Sequence, residues 1–293
     1  MTKNLFRVNF TNPAEEEKEY ADKHESFKET DGLISQHIPV HVFDVPIRCG
    51  NYDFLFGRDV MVEWHNALLV KKELFQNPSF IDFMEKIGYQ KRILPHDSLS
   101  EGGCFVFGKE FLLMSDIFEK HKELFLELLK GSRLDLPIYF MPSLTSEYHN
   151  HIDCDYQIID RLRLVYVNEN LNRVNVPKAK KARKTLEEIA KRHDYEIREY
   201  KAFDKDYLVT VKEEDMVLDV DGSSVINEGD YYDFFLKMTG INFILNGSRL
   251  FTGFVHPEEK EFLQSKGLEA EVVPVGKVNS GAGLRCIYGE FDL

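Results

Sequence analysis

The stretch FLFGRDVMVEWHNALLV, residues 54–70, contains short apolar runs separated by polar turn residues. The same pattern returns as CFVFGKEFLLMS at 104–115, DYQIIDRLRLVYV at 155–167 and NFILNGSRLFTGF at 242–254. In each stretch, β-branched or aromatic residues flank Gly, Asn or Asp, which predicts a β-hairpin. A stretch of sequence that is typical of a helix follows each hairpin, so the sequence predicts a repeated unit of two strands and a helix.

The spacing of these hairpins predicts the architecture. The first three lie roughly 50 residues apart, a period typical of radially or stacked repeated units. Between the third and the fourth we expect a longer insertion, which carries PKAKKARKTLEEIAKRHDYEIREY, 177–200. Its apolar spacing predicts an amphipathic surface helix, with docking of an anion as the alternative. LRCIYGEFDL at 284–293 predicts a last strand, and no Pro/Gly/Ser-rich linker interrupts the chain. We therefore expect one α/β domain over residues 1–293, built from about five pseudo-repeats.

Composition and charge exclude several classes of protein. The chain of 293 residues is 43% hydrophobic and 30% charged, which is typical of a folded soluble protein. Its formal net charge of −13 repels phosphate backbones, so we expect no nucleic-acid partner. No apolar run approaches the roughly 20 residues that span a bilayer, and the first residues lack a signal-peptide core. We therefore expect a cytoplasmic protein that does not associate with membranes.

Four cysteines occur without any CxxC pair: Cys49, Cys104, Cys154 and Cys286. This spacing indicates neither a zinc site nor a disulfide framework, and no ligand-spaced Cys/His cluster is present, so we expect no metal. We also expect no organic cofactor, because thiolate, imidazole and carboxylate side chains can supply the needed chemical roles. Taken singly, a cysteine in an apolar strand is more often an inert packing thiol than a nucleophile. The same caution applies to a lone histidine or aspartate, so residue type alone leaves structural and catalytic roles open.

Four short motifs occur in a fixed order along the chain. They are YDFLFGRD at 52–59, EGG at 101–103, HID at 151–153 and GAGLRC at 281–286. The first is similar to the P-D-x-V-F-x-R-D segment of arginine deiminases, and the others are similar to their E-G-G turn, H-x-D motif and glycine-rich cysteine segment. In this order and spacing, the chain resembles the pentein-fold guanidine-modifying superfamily of arginine deiminases, dimethylargininases and amidinotransferases.

The resemblance implies a fold and a set of site residues. The implied fold is a five-bladed α/β propeller of ββαβ-like pseudo-repeats around a central active-site channel, with the nucleophilic cysteine on the last strand. The implied catalytic residues are Cys286 as nucleophile, His151 as general acid and base, and Glu101 to orient His151. The implied substrate-binding residues are Asp59, Asp153 and Arg285.

The resemblance also implies a reaction. A cysteine-dependent hydrolase would attack a guanidinium, hold a thiouronium on Cys286, and release ammonia or an amine and a ureido product. An amidinotransferase, which passes the amidino group to an acceptor amine, shares the first half of that reaction. A non-catalytic pentein binding protein is the third alternative. The expected partner is a small-molecule guanidino substrate, and the sequence is compatible with a homodimer.

The sequence leaves the functional role of several further residues undecided. Arg48, Arg249 and Arg285 are each candidates to meet a carboxylate on the substrate. Cys104 follows the EGG turn where deiminases carry an acidic residue, which leaves one substrate contact of that family unassigned here. Cys104 and Cys154 are interpreted as packing thiols.

Overall fold

The computed structural model describes most of the chain. The described residues are 3–11, 27–46, 57–64, 67–95, 102–123, 125, 136–144, 151–168, 176–202, 217–218, 224–225, 237, 239–275 and 284–293.

Short strands dominate this part of the chain. In chain order they are β1 (Lys3–Thr11), β2 (Val40–Pro46), β3 (Met61–Trp64), β4 (Ala67–Val70), β5 (Arg92–Pro95), β6 (Phe105–Phe107), β7 (Leu112–Ser115), β8 (Ile138–Met141), β9 (Tyr156–Ile159), β10 (Leu164–Asn168), β11 (Glu196–Tyr200), β12 (Val217–Leu218), β13 (Ser224–Val225), β14 (Ile244–Asn246), β15 (Arg249–Thr252), β16 (Glu269–Val272) and β17 (Gly289–Asp292).

Five three-stranded sheets, which we call blades, repeat one pairing pattern. They are blade 1 (β3-β4-β5), blade 2 (β6-β7-β8), blade 3 (β9-β10-β11), blade 4 (β14-β15-β16) and blade 5 (β17-β1-β2). In each blade the first strand pairs antiparallel with the second, and the second pairs parallel with the third. Parallel neighbours need a crossover connection, which explains the stretch after each hairpin. Blade 5 joins the C-terminal strand to the N-terminal one.

Helices are short apart from one. Residues 27–34 are helical, and the α-helices that follow are Gly57–Val60, Lys72–Phe75, Pro78–Lys86, Val176–His193, Pro257–Ser265 and Leu284–Ile287. Single 3₁₀ turns or short 3₁₀ helices occur at Gly102–Cys104, Asp116–His121, Asp160–Leu162 and Thr239–Ile241. No helix among the described residues has the length and apolar character to cross a membrane.

Two of the helices that connect parallel strands begin at residues that favour the start of a helix. In blade 1, Asn77 precedes the helix Pro78–Lys86 and its side chain accepts a hydrogen bond from the Ser79 amide at 3.1 Å. In blade 4, His256 accepts from the Glu258 amide at 3.2 Å ahead of the helix Pro257–Ser265. Each helix therefore has a capped start with proline in its first turn, where its missing N–H costs nothing.

The long helix Val176–His193 buries one side against blades 2 and 3. Its residues Ala182, Leu186 and Ile189 pack with Val165 and Val167 of β10. The prediction of an amphipathic surface helix is confirmed, but two details were wrong. The helix ends at His193, with β11 following it, and it is the crossover of blade 3 rather than an insertion between repeats.

The structure confirms the four predicted hairpins and the five repeated units. One expectation was wrong, because Cys286 does not lie on the last strand. It lies on the one-turn helix Leu284–Ile287, and β17 begins only at Gly289. Leu284 and Ile287 are both buried at a spacing of three, which suits a helical turn better than the alternation of a strand.

Candidate active site

One segment lies immediately before the first strand of each blade, and these five segments carry the candidate site. They are Gly57–Val60 before β3, Gly102–Cys104 before β6, residues 151–155 before β9, residues 239–242 before β14 and Leu284–Ile287 before β17. The repeat therefore supplies five equivalent positions at which side chains from distant parts of the sequence meet.

Asn242 holds the cysteine-bearing turn in place. Its side-chain oxygen accepts a hydrogen bond from the backbone N–H of Cys286 at 3.2 Å, and its carbonyl accepts from the N–H of Arg285 at 3.3 Å. Its amide nitrogen donates to the carbonyl of Asp153 at 3.3 Å. Asn242 is completely buried, so one amide joins the segments of blades 3, 4 and 5.

Gly103 fixes the position of His151. A Cβ on Gly103 would lie 2.7 Å from both Cγ and Nδ1 of the His151 ring, so only glycine lets the two segments approach this closely. The carbonyl of Gly103 also accepts hydrogen bonds from the amides of Ile152 at 2.9 Å and Asp153 at 3.1 Å. The imidazole Nε2 lies 3.7 Å from Oδ1 of Asp59, within range of an electrostatic interaction.

A buried ion pair lies next to this histidine segment. Arg58 donates from Nε to Oδ2 of Asp153 at 2.8 Å and from Nη2 to the carbonyl of Phe105 at 2.7 Å. A Cβ on Gly102 would lie 2.8 Å from Cγ of Arg58, so this glycine makes room for the arginine. The Asp153 carboxylate is fully buried, and the guanidinium of Arg58 balances its charge.

A second arginine lies in the same network. Arg285 donates from Nε to Oε1 of Glu290 at 2.6 Å and from Nη1 to Oε1 of Gln157 at 2.8 Å. Glu290 also pairs with Lys3, and its Oε1 lies 3.9 Å from Nη1 of Arg58. Burial alone would raise the pKa of Glu290, but the charges of Arg285, Lys3 and Arg58 hold it well below its ordinary value. Glu290 therefore stays ionised and neutralises the cations around it.

The two buried thiols of the site differ in acidity. The hydrogen bond with Cys154 lowers the pKa of Cys286, and a hydrogen bond with His151 acts in the same direction. Burial and the charges of Asp153 and Asp59 oppose this effect, and the net shift is downward. The same hydrogen bond, burial and the charge on Cys286 raise the pKa of Cys154 well above its ordinary value. Cys286 is therefore the thiol that ionises first.

Asp153, Cys154 and Cys286 bring one carboxylate oxygen and two sulphurs within 4.8 Å of one another. These are donor types that metal sites also use. Here, however, the carboxylate is paired with Arg58 at 2.8 Å.

Comparison with known proteins identifies the fold. No protein-family model and no curated protein matches the chain. Among solved structures, the N-terminal domain of ArgZ, a cyanobacterial arginine dihydrolase bound to its product, superposes with a TM-score of 0.60 at 13% identity, over 99% of this chain and 97% of that one. DDAH from Pseudomonas aeruginosa, a variant complexed with citrulline, superposes with a TM-score of 0.57 at 9% identity, over 99% and 100% of the two chains. This chain has the pentein fold.

A third pentein comparison differs in length. Unliganded AgrE superposes with a TM-score of 0.57 at 12% identity over 98% of this chain, which spans 40% of AgrE. At identities of 9–13%, these likenesses concern the fold, and the arrangement of side chains must be judged from this pentein itself.

The pentein architecture brings most of the expected site residues together. Asp59, His151, Asp153, Arg285 and Cys286 lie on three of the five converging segments. Glu101 lies outside the described residues, as do Arg48 and residues 281–283 of the glycine-rich motif. The catalytic and binding roles of all these residues stay predictions.

Two of the three candidates for a substrate-carboxylate contact, Arg249 and Arg285, are engaged with the protein. Arg285 is held by Glu290 and Gln157. Arg249 of β15 lies 2.8 Å from Nε2 of His37 and 3.5 Å from Glu271. These contacts tie both guanidinium groups to other side chains of the same chain. Their roles in binding a substrate remain predictions.

Sequence reasoning missed two residues of the site. Cys154 was interpreted as a packing thiol, yet its sulphur lies beside that of Cys286. Asn242 was not singled out at all. Both signals were present, because Cys154 directly follows the HID motif and Asn242 begins the fourth hairpin, the position that carries site residues in the other repeats. Cys104, by contrast, lies in an apolar cluster with Phe105 and Leu112, as expected of a packing thiol.

Proposed function

We propose that this pentein is a cysteine-dependent hydrolase that acts on the guanidinium group of an arginine-like small molecule. The observation that carries the proposal is the environment of Cys286, a buried thiol within 4.8 Å of a carboxylate oxygen of Asp153. Its pKa is lowered by Cys154 first and by His151 as well, and Nε2 of that histidine lies 3.7 Å from Asp59. A nucleophile, a proton carrier and anions for a cationic substrate are therefore present together.

The solved structures of the same fold support this choice. They include an arginine dihydrolase and a dimethylarginine dimethylaminohydrolase. A cysteine-to-serine variant of the first is bound to its substrate, and a cysteine-to-serine variant of DDAH is bound to citrulline. Citrulline is the ureido compound that hydrolysis of an arginine guanidinium yields, so these complexes are consistent with the reaction proposed here.

Asp59 and Asp153 are proposed to bind the guanidinium. This cation is planar and presents N–H donors in fixed directions, which carboxylate oxygens accept well. Asp153 already gives Oδ2 to Arg58, so its Oδ1 is the atom proposed to accept from the substrate. Asp59 lies on the His151 side of the site and would accept from another substrate nitrogen. The fixed ion pair with Arg58 prevents Asp153 from rotating away.

The first chemical step is attack by Cys286. The thiolate sulphur forms a bond to the central guanidinium carbon and gives a tetrahedral adduct. The bond from that carbon to the leaving nitrogen then breaks, and protonated His151 delivers the proton that this nitrogen needs to depart as ammonia or an amine. A thiouronium remains on Cys286. Glu101 is proposed to orient His151, and Oδ1 of Asp59 lies 3.7 Å from its Nε2.

The second step is hydrolysis of the thiouronium. His151, now neutral, accepts a proton from water as the water oxygen attacks the same carbon. The carbon–sulphur bond then breaks, which returns Cys286 to the thiolate and releases the ureido product. Transfer of the amidino group to an amine would differ only in the second nucleophile, so the nature of the product separates the two reactions.

The test is a panel of guanidino compounds. The protein is incubated with arginine, N-methylated arginines, guanidino acids and guanidino amines, with and without a primary amine, and the products are followed by mass spectrometry. We expect ammonia or an amine together with the ureido product from at least one compound, and no product from Cys286→Ser. Amidine transfer in place of ureido product would assign the amidinotransferase reaction. Failure of every compound to react or to form a thiouronium would contradict both.

A further inference from the structure

Cys154 has surroundings unlike those of a packing thiol. Its sulphur, the sulphur of Cys286 and a carboxylate oxygen of Asp153 all lie within 4.8 Å of one another. Cys154 and Cys286 are 9% and 3% exposed. A polar group in so buried a place must find hydrogen-bond partners among its neighbours, because water does not supply them.

The hydrogen bonds around Cys154 restrict where its proton points. The amide nitrogen of Asn242, which can only donate, lies 3.6 Å from the Cys154 sulphur, so the sulphur accepts there. The thiol donates to Oδ1 of Asp153 at 3.8 Å, and the sulphur of Cys286, within 4.8 Å, is the second acceptor near it. The proton therefore lies between the nucleophile and the carboxylate proposed to bind substrate.

In the free protein the two acceptors compete for the thiol proton, and substrate binding shifts it further towards the sulphur of Cys286. This step rests on the proposed function, in which a substrate N–H occupies Oδ1 of Asp153 while Oδ2 keeps its contact with Arg58. With Oδ1 occupied, the ionised sulphur of Cys286 is the remaining acceptor, and a charged acceptor makes the stronger hydrogen bond. The thiol of Cys154 is then directed at the reacting atom.

Two neighbouring thiols in a buried site do not both ionise, because like charges repel strongly there. The charged or titratable groups that act on the two thiols include His151, Asp59, Asp153, Cys154, Asp155, Cys286, Arg58 and Arg285. Of these, Cys154 has the largest effect on the acidity of Cys286, and its own ionisation is strongly disfavoured. The geometry and the acidities agree that Cys154 keeps its proton.

We propose that Cys154 is a catalytic residue whose thiol donates a hydrogen bond to the sulphur of Cys286 and keeps the nucleophile ionised before it attacks. As the sulphur–carbon bond forms, the negative charge leaves the sulphur and this hydrogen bond weakens. When the thiouronium is hydrolysed, the charge returns and the hydrogen bond helps the sulphur to leave. No proton is transferred from Cys154 in either direction.

The test measures the reactivity of Cys286 without any substrate. Iodoacetamide, a neutral alkylating reagent that reacts with thiolates, is applied to the free protein over a range of pH, and modification of each cysteine is followed by peptide mapping. Cys154→Ala removes the donor, so the rate of Cys286 modification should fall about 10-fold at pH values below the pKa of Cys286, and its pH profile should move upward. Cys154→Ser keeps a donor and should restore most of the rate.

Cys104→Ala is the matched control, because it removes another buried thiol, one that lies in an apolar cluster. It should leave the pH profile of Cys286 unchanged. If Cys154→Ala does not fold, as judged by circular dichroism, Cys154→Val, which has no donor and a side chain of similar size, takes its place and should show the same loss of rate.

Two results would overturn the proposal. One is a pH profile of Cys286 that stays unchanged when Cys154 is replaced by alanine or valine, and the other is a Cys154→Ser protein in which Cys286 reacts as slowly as it does in Cys154→Ala. Neither measurement requires turnover, so a protein that hydrolyses no guanidino compound could still show the effect of Cys154. Conversely, turnover of a guanidino compound with an unaltered profile in Cys154→Ala would refute the role of Cys154 and leave the proposed function intact.

Discussion

Replacing Glu290 by glutamine removes the anion that neutralises a buried group of cations. The carboxylate contacts Arg285 at 2.6 Å, pairs with Lys3 and lies 3.9 Å from Arg58. Breaking a buried ion pair by removal of one partner typically costs 3–5 kcal/mol. Arg58 keeps Asp153 and Arg285 keeps Gln157, so we expect the lower end, about 3 kcal/mol less free energy of unfolding at pH 7.

The pH dependence gives a second signature of the same residue. The folded-state pKa of Glu290 lies below the ordinary glutamate value of 4.5, so its stabilising effect is present above that pH and is lost as pH falls below it. Urea unfolding of the native protein and of Glu290→Gln should therefore differ most near neutral pH and converge in acid. Glu269→Gln, which removes an exposed carboxylate 3.8 Å from Arg249, should change stability by less than about 0.5 kcal/mol. A Glu290→Gln protein as stable as this control, or a difference that stays constant down to acid pH, would refute the reasoning.

Two further substitutions test the histidine side of the site. Gly103→Ala places a Cβ 2.7 Å from the His151 ring, so we expect displacement of the imidazole and a fall in turnover of about 100-fold. Gly32→Ala is the control and should leave turnover unchanged, because no atom lies within 4 Å of its new Cβ. Equal activity of the two variants would contradict the close approach of Gly103 and His151. His151→Ala should slow turnover by roughly 10²–10⁴-fold, as expected for loss of a general acid and base, yet still permit alkylation of Cys286; full turnover would exclude that role.

The repeated hairpins could be predicted because their signals are local. Alternating apolar residues and a nearby turn define each of them within about a dozen residues, and the pairing of β9 with β10 follows from neighbours in sequence. The third strand of each blade is harder to assign, since a parallel partner lies far along the chain. The helix Val176–His193 was recognised, but its place in blade 3 depends on the pairing of β10 with β11 across it.

The turn at Leu284–Ile287 shows the limit of short apolar runs. Five residues of the type LRCIY fit a strand as well as a buried helical turn, because periodicity alone does not separate the two over so few positions. The position of β17 is set by β1, nearly the whole chain away, with Phe6 opposite Gly289. This distant pairing leaves Cys286 just outside the sheet rather than within it.

In the site, too, residues within short motifs could be predicted, whereas contacts between residues far apart in the chain could not. The motifs containing Asp59, His151, Asp153 and Cys286 stand in order along the chain, so the resemblance indicated them together. Cys154 directly follows the HID motif, but its sulphur lies near that of Cys286, 132 positions away, and its position beside the motif does not reveal that proximity. Such contacts follow from the convergence of the five segments, which only the assembled fold reveals.

The most direct test of the account is to find which cysteine reacts with a cationic guanidine mimic. A haloacetamidine has the planar, cationic head that Asp59 and Asp153 are proposed to bind, and it forms a stable bond with a thiolate. Peptide mapping after limited labelling should find the reagent on Cys286, which should react faster with it than with a neutral haloacetamide of similar size. Cys286→Ser should abolish both labelling and turnover. A label on Cys104 or Cys154, with Cys286→Ser fully active, would contradict the central claim.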